Sequence, residues 1–278
     1  MNITPRQVKQ LLLPVYTASE AGNLARLLCC ELWGQSTTDY YLDKSITLSA
    51  DAGHQWQNIL ARLLQNEPIQ YILQEARFLG QSFRVTPATL IPRPETEELV
   101  ERMLTTVSPE ARILDIGTGS GCIAVSLSRA LPAAEVEAWD VSEEALAVAR
   151  VNGKMLQANV RWVCRDVWDD APDDTARFDV IVSNPPYVTE SEKSAMERNV
   201  LEWEPATALF VPDNDPLRFY RRIAALGCRM LLPGGQLFFE INRAYGVEVR
   251  SMLHDSGYRH VTLWQDISRN DRFIEARL

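Results

Sequence analysis

Two short runs in the sequence combine residue types whose order could do chemistry. In the first, Asp115-Ile116-Gly117-Thr118-Gly119-Ser120-Gly121, glycines alternate with small residues behind an acidic side chain. Glycines at that spacing let a ligand lie against bare backbone, and a helix opening after them offers free N–H groups to an anion. A tight strand-to-helix turn would use the same glycines. A dinucleotide-binding loop would want GxGxxG, but here the third glycine comes one position early and Cys122 stands in its place. Behind an Asp, GxGxG favours a ligand that carries an ammonium as well as a carboxylate. The second run is Ser183-Asn184-Pro185-Pro186-Tyr187, directly after the apolar Val180-Ile181-Val182. Its prolines stiffen the loop and fix the direction of its carbonyls. Such a loop suits a planar amide or amino nitrogen. That nitrogen is a poor nucleophile because its lone pair is delocalised, the resonance that gives peptides a rotational barrier of roughly 18–20 kcal/mol. The Asn184 side-chain oxygen and the Pro185 carbonyl could each accept one N–H, aim the lone pair at an electrophile and stabilise the positive charge that develops. Tyr187 would add a flat wall. An Asn-Pro turn after a strand is the plain alternative.

S-adenosylmethionine carries both charges that the first loop favours, and the positions after neighbouring strands suit the rest of it. Asp140 ends the next strand, where a carboxylate can accept hydrogen bonds from both ribose hydroxyls. Asp166 follows the third strand, within reach of an adenine amino group, and Trp168 could stack on the ring. The elements that must position these groups alternate. Strand-like segments at 112–116, 136–140, 160–164 and 179–183 are separated by helices starting at Ser120 and Ser142. That rhythm predicts a parallel, doubly wound sheet. A helix over 219–231, a strand over 236–241 and a helix over 244–253 continue it, and 260–265 with 272–277 form a closing antiparallel pair. The fold class is therefore α/β with a Rossmann-like sheet, a methyltransferase sheet where the first loop takes S-adenosylmethionine.

The first 66 residues have a different character. Thr4-Pro5-Arg6-Gln7 is a helix start with a capping box, and Leu24, Leu27, Leu28 and Leu32 form an apolar stripe over 21–32. A third helix carries Trp56, Ile59, Leu60, Leu63 and Leu64 and stops before Pro68. Residues 1–66 read as a small helical domain, 67–92 as a hairpin linker and 93–278 as the catalytic domain. A net charge of −9 argues against a long nucleic acid as main partner, so no stable nucleic-acid binding is expected. No apolar run reaches the roughly 20 residues that span a bilayer, and the start lacks a signal-peptide pattern. A cytoplasmic protein, acting as a monomer without a membrane partner, is expected. The five cysteines are scattered without a CxxC pair or a His at ligand spacing, which argues against a metal site.

Asn184-Pro185-Pro186-Tyr187 preceded by Asp115 to Gly121 resembles the amino-methyltransferases. Three flanking segments narrow the resemblance: Glu67-Pro68-Ile69-Gln70-Tyr71, Leu90-Ile91-Pro92-Arg93-Pro94-Glu95-Thr96-Glu97 and Glu204-Pro205-Ala206-Thr207-Ala208-Leu209. These are similar to the peptide chain release factor glutamine methyltransferases, the PrmC/HemK family, along nearly the whole chain. The resemblance implies methylation of the glutamine in the Gly-Gly-Gln loop of release factors, with S-adenosylmethionine as cofactor and the N-terminal domain helping to hold the protein substrate. It places cofactor contacts on Gly117, Thr118, Gly119, Ser120, Gly121, Asp140 and Asn184, and substrate contacts on Asn184, Pro185, Pro186 and Tyr187, with Asn184, Pro185 and Tyr187 as the catalytic set. An adenine amino-methyltransferase acting on DNA or RNA is the alternative, since a flipped base poses the same geometric problem. The chain departs from the family pattern at Asn242 and Tyr245, where a glycine and a glutamine are usual, and at Ser268-Arg269. These departures are expected to leave the chemistry alone and to bear on substrate docking. No His lies near the motifs; the sequence leaves open the base that removes the proton after transfer, and bulk water could suffice.

Overall fold

The computed structural model describes residues 1–169 and 177–278. They form two compact units, one of Met1–Leu73 with Arg198–Trp203 and one of Gln74–Glu197 with Glu204–Leu278. In the first unit, the Pro5–Leu12 helix starts on the capping box that its sequence predicts, with the Thr4 and Gln7 side chains each bonding the other's backbone. The Ala18–Arg26 helix runs on as a π-helical stretch over Leu27–Leu32. These helices and Ala50–Leu63 enclose a core of Val8, Leu12, Leu28, Trp56, Ile59 and Leu63. Ile69 and Tyr71, expected in a hairpin, lie instead in a short Ile69–Leu73 helix. The carbonyl of Pro68 accepts from the amides of Tyr71 and Ile72 and starts that turn, while Ile69 and Ile72 both enter the helical core. The hairpin itself is confined to Glu75–Phe78 and Gln81–Arg84.

The second unit is built on one sheet. Its strands in chain order are β1 (Arg112–Ile116), β2 (Glu135–Asp140), β3 (Val160–Cys164), β4 (Phe178–Ser183), β5 (Leu231–Glu240), β6 (Arg259–Gln265) and β7 (Asp271–Arg277). Across the sheet they run β6-β7-β5-β4-β1-β2-β3, parallel except for β7. Successive side chains go to opposite faces, so Ile113, Val180, Val182 and Phe238 enter one core while Leu114, Ile181, Leu237 and Phe239 enter the other. Burial on both faces explains the consecutive apolar residues Ile113-Leu114 in β1, Val180-Ile181-Val182 in β4 and Leu237-Phe238-Phe239 in β5.

The register decides where function can sit. Ile116 pairs with Trp139 of β2 and with Ser183 of β4, and Ser183 pairs with Phe239 of β5. The next residue on each strand is Gly117, Asp140, Asn184 and Glu240, so all four emerge at one level of the carboxyl edge. Strand order reverses between β1 and β4, and ligands of open α/β sheets bind in the crevice at such a switch point.

Candidate active site

A cavity of about 390 Å³ opens at that switch point. Gly117, Thr118, Gly119 and Ser120 line it from the β1 loop, Asp140 from β2, Asp166 from the β3 loop, and Asn184, Pro185 and Pro186 from the β4 loop. The two runs picked out by their chemistry thus face each other across one space.

The glycine loop differs in detail from its expected form. The amides of Gly117 and Thr118 both donate to the Trp139 carbonyl at 2.9 Å, and the Gly119 amide donates to Asp140 Oδ2 at 2.8 Å. These donors shape the loop and are not free for an anion, because the buried end of β2 needs partners for its own carbonyl. Gly119 has φ of +56°, and a Cβ there would meet no protein atom within 4 Å. Its open side is the cavity, the cradle a ligand needs. Asp140 accepts from Ser142 N at 3.0 Å as well as from Gly119, so it holds the loop while lining the cavity. Burial raises its carboxyl above the ordinary range, opposed by those backbone donors.

Asp115 sits beneath the loop, fully buried, with Oδ2 accepting from the Thr118 hydroxyl at 2.6 Å and Oδ1 unpartnered. Burial pushes its carboxyl up to about 7. An open glycine cradle, a carboxylate on the cavity wall that could accept from ribose hydroxyls and an unpaired acidic oxygen behind the loop fit a cofactor with a ribose and an ammonium. Gly121 is absent from the cavity lining. It caps the Cys122–Ala130 helix at φ of +80°, where a Cβ would stand 3.0 Å from the Trp162 ring and 3.1 Å from Ala149. Gly121→Ala should therefore cost about 1–3 kcal/mol of stability through backbone strain and crowding. Thermal denaturation of the variant without cofactor checks this, and an unchanged midpoint would contradict the packing role.

At the β4 end, the Ser183 hydroxyl donates to Ile116 O at 2.7 Å and ties the reaction loop to the glycine strand. The Asn184 amide nitrogen lies 3.4 Å from Thr96 Oγ1. Tyr187 is turned away from the cavity and packs on the second core. Its hydroxyl donates to Glu240 Oε1 at 3.2 Å, and burial drives its phenol pKa well upward. Its carbonyl accepts from Asn242 Nδ2 at 3.1 Å, and the same Asn242 amide reaches Glu192 Oε2 at 2.9 Å. The departure at Asn242 thus falls on a side chain that bonds the end of the Asn184–Tyr187 loop. Trp168 is 42% exposed, outside the cavity lining, with its ring 5.7 Å from Phe219. Phe219 and Val167 line the wall that Trp168 was expected to provide.

Other groups had no local signal. Asn152 is fully buried in the Glu143–Met155 helix and donates to Ser120 O at 2.8 Å and Arg84 O at 2.9 Å. It fixes the loop against the Gln81–Arg84 strand. The flanking motifs also acquire physical roles. Glu204 is buried, pairs with Arg93 at 2.7 Å and accepts from Ile91 N, so it clamps the segment whose Leu90, Pro92 and Arg93 form one cavity wall.

The PrmC N-terminal domain model matches residues 6–73 and the methyltransferase small domain model matches residues 94–203. A methyltransferase from Pyrococcus furiosus shares the fold at a TM-score of 0.54 and 20% identity, over 80% of this chain and 98% of that one. The release factor glutamine methyltransferase of Flavobacterium psychrophilum is 47% identical over 80% of this chain and 79% of that protein. That of Bacteroides thetaiotaomicron is 52% identical over 277 residues, 99% of each chain. With that identity along both lengths, and with the glycine loop and Asn184 loop meeting in one cavity, the chain belongs to the release factor glutamine methyltransferase family.

Proposed function

We propose that this protein transfers a methyl group from S-adenosylmethionine to the side-chain amide nitrogen of the glutamine in the Gly-Gly-Gln motif of peptide chain release factors. One observation carries the reading: Asn184 and Pro185 line the same cavity as Gly119 and Asp140, so an amide held by the first pair meets a cofactor held by the second. The cofactor supplies an electrophilic methyl on a sulfonium. Gly117 to Ser120 bind it by leaving room for close approach, and Asp140 accepts from its ribose; Asp166 reaches the adenine amino group. The Asn184 side-chain oxygen and the Pro185 carbonyl accept the two N–H bonds of the glutamine amide. This turns the nitrogen lone pair toward the methyl and opposes the positive charge that forms on nitrogen. Pro186 bounds the substrate side, and Tyr187 braces the loop through Glu240. His54, His254 and His260 are all outside the cavity lining, and bulk water suffices to take the proton in this reading.

The helical unit of residues 1–66 is the docking domain in this reading, with 67–92 leading into the catalytic domain of 93–278. Exposed Leu11, Leu13, Tyr41 and Leu42 offer it apolar contact surface. The cytoplasm is the proposed compartment because release factors act at the ribosome. One chain carries both cavity and docking unit, so a monomer suffices. Among the described residues no helix is long and apolar enough to cross a membrane. The adenine amino-methyltransferase alternative is not favoured, since the relatives that match 99% and about 80% of both lengths are named for release factor glutamine.

Labelled cofactor should deliver its methyl to purified release factor and not to DNA or bulk RNA offered in parallel. Mass spectrometry should locate the added methyl on the Gly-Gly-Gln peptide. A free peptide of that sequence should show a KM at least roughly tenfold higher than the intact factor, because it lacks the second contact that tethers the loop. Label on nucleic acid alone would overturn the substrate, and equal KM values would overturn the docking role.

A further inference from the structure

Glu240 is a charged side chain at the reaction edge to which the mechanism above gives no direct contact. It ends β5 at the level of Asn184 and is 1% exposed. Its Oε2 accepts from Thr96 Oγ1 at 2.7 Å, and its Oε1 accepts from the Tyr187 hydroxyl at 3.2 Å. Arg272, held to Asp266 at 3.2 Å, lends positive charge nearby. Burial raises the Glu240 carboxyl, while Thr96, Arg272 and Tyr187 pull it back.

The polarity of this chain of bonds has a consequence. Both oxygens of Glu240 accept, one from Thr96 and one from Tyr187, and a threonine hydroxyl has one proton to give. Thr96 gives it to Glu240, so toward Asn184 it can only accept. The atom of Asn184 that faces Thr96 at 3.4 Å must then be the N–H₂ end, as observed. The amide oxygen is left on the opposite side. Were Thr96 free to donate, the amide could turn over and present N–H groups where a substrate amide also presents N–H groups. Asparagine by itself has no preference between the two orientations.

We propose that Glu240 is a positioning residue that, through Thr96, sets which end of the Asn184 amide faces the substrate. The proposal rests on Asn184 being the acceptor of the substrate amide.

The test is a set of variants assayed for single-turnover methyl transfer to intact release factor, with KM and cofactor affinity measured in parallel. Thr96→Val keeps volume and removes the relay, and should lower the rate roughly 10- to 10²-fold, the range for losing a preorganised acceptor in part. Thr96→Ser keeps the hydroxyl and should recover the rate to within about threefold. Glu240→Leu frees the Thr96 proton to donate to Asn184 and should match or exceed the loss in Thr96→Val. In all three, KM and cofactor affinity should change much less than the rate: Thr96 lines the cavity, but valine and serine keep its approximate size there, and the relay acts on the orientation of Asn184. Should Glu240→Leu fail to fold, the valine and serine pair at Thr96 still decides. Wild-type rates in Thr96→Val, or equal losses in the valine and serine variants, overturn the proposal. So does a rise in KM that accounts for the whole effect. If those variants are normal while Asn184→Ala is slow, only the relay fails; if Asn184→Ala is also normal, the acceptor role fails with it.

Discussion

Asn184→Ala is expected to reduce methyl transfer by roughly 10²- to 10³-fold, the scale for removing one preorganised hydrogen bond that stabilises charge in the transition state. The acceptor oxygen matters most when the attacking nitrogen gains positive charge, so cofactor binding should fall less than turnover. Asn184→Asp is the sharper comparison. If acceptor strength alone dominated, a carboxylate would match or exceed the amide. The surroundings argue otherwise. The N–H₂ group 3.4 Å from Thr96 would be lost, and a second carboxylate would be placed two bonds of the network from buried Glu240. Like charges in a poorly solvated site disfavour ionisation of either. The aspartate variant should therefore stay impaired. Single-turnover transfer separates these outcomes from product release. Transfer at the wild-type rate in both variants would leave Asn184 a turn residue and refute the mechanism.

Gly119→Val should abolish detectable cofactor binding while the protein remains folded. Two effects combine. The backbone at φ of +56° is costly for a β-branched residue, and the added side chain projects into space that holds no protein atom within 4 Å. That space is the cavity, so the block falls on the ligand and not on the core. Asp140→Ala supplies the contrast: losing the ribose acceptor should weaken binding by about 1–3 kcal/mol without eliminating it. The same substitution strips the Gly119 amide of its partner, which places the expected loss toward the upper end of that range. Calorimetry with purified variants checks both, and circular dichroism confirms the fold. Wild-type affinity in either folded variant would refute the placement of the cofactor.

Much of this architecture is legible from local pattern alone. β1 and β3 span the residues that their apolar runs predict, and the first helix opens on the capping box written in Thr4 and Gln7. Such features depend on neighbours a few positions away, so a linear reading suffices. The glycine and Asn184 loops could also be placed at the carboxyl edge, because a parallel sheet sends every strand the same way and its loops to the same side.

What the tertiary structure decided is which atoms face the cavity. Within the two motifs, Gly119 is open to it, whereas Gly121 is spent on close packing against Trp162 and Tyr187 points back toward Glu240. Motif spacing treats these residues alike, and only the packing behind each tells them apart. Thr96 stands in a flanking motif, but its role, like those of Asn152 and Glu240, had no local signal because their partners are far along the chain: Thr96 and Glu240 are separated by 144 positions, and Asn152 and Arg84 by 68. A buried polar group has to find a partner, and which partner it finds is set by strand register and helix docking. The chemistry was therefore written in short runs of sequence, while the orientation that makes it work arises from polar contacts that exist only once the sheet has brought those strand ends level.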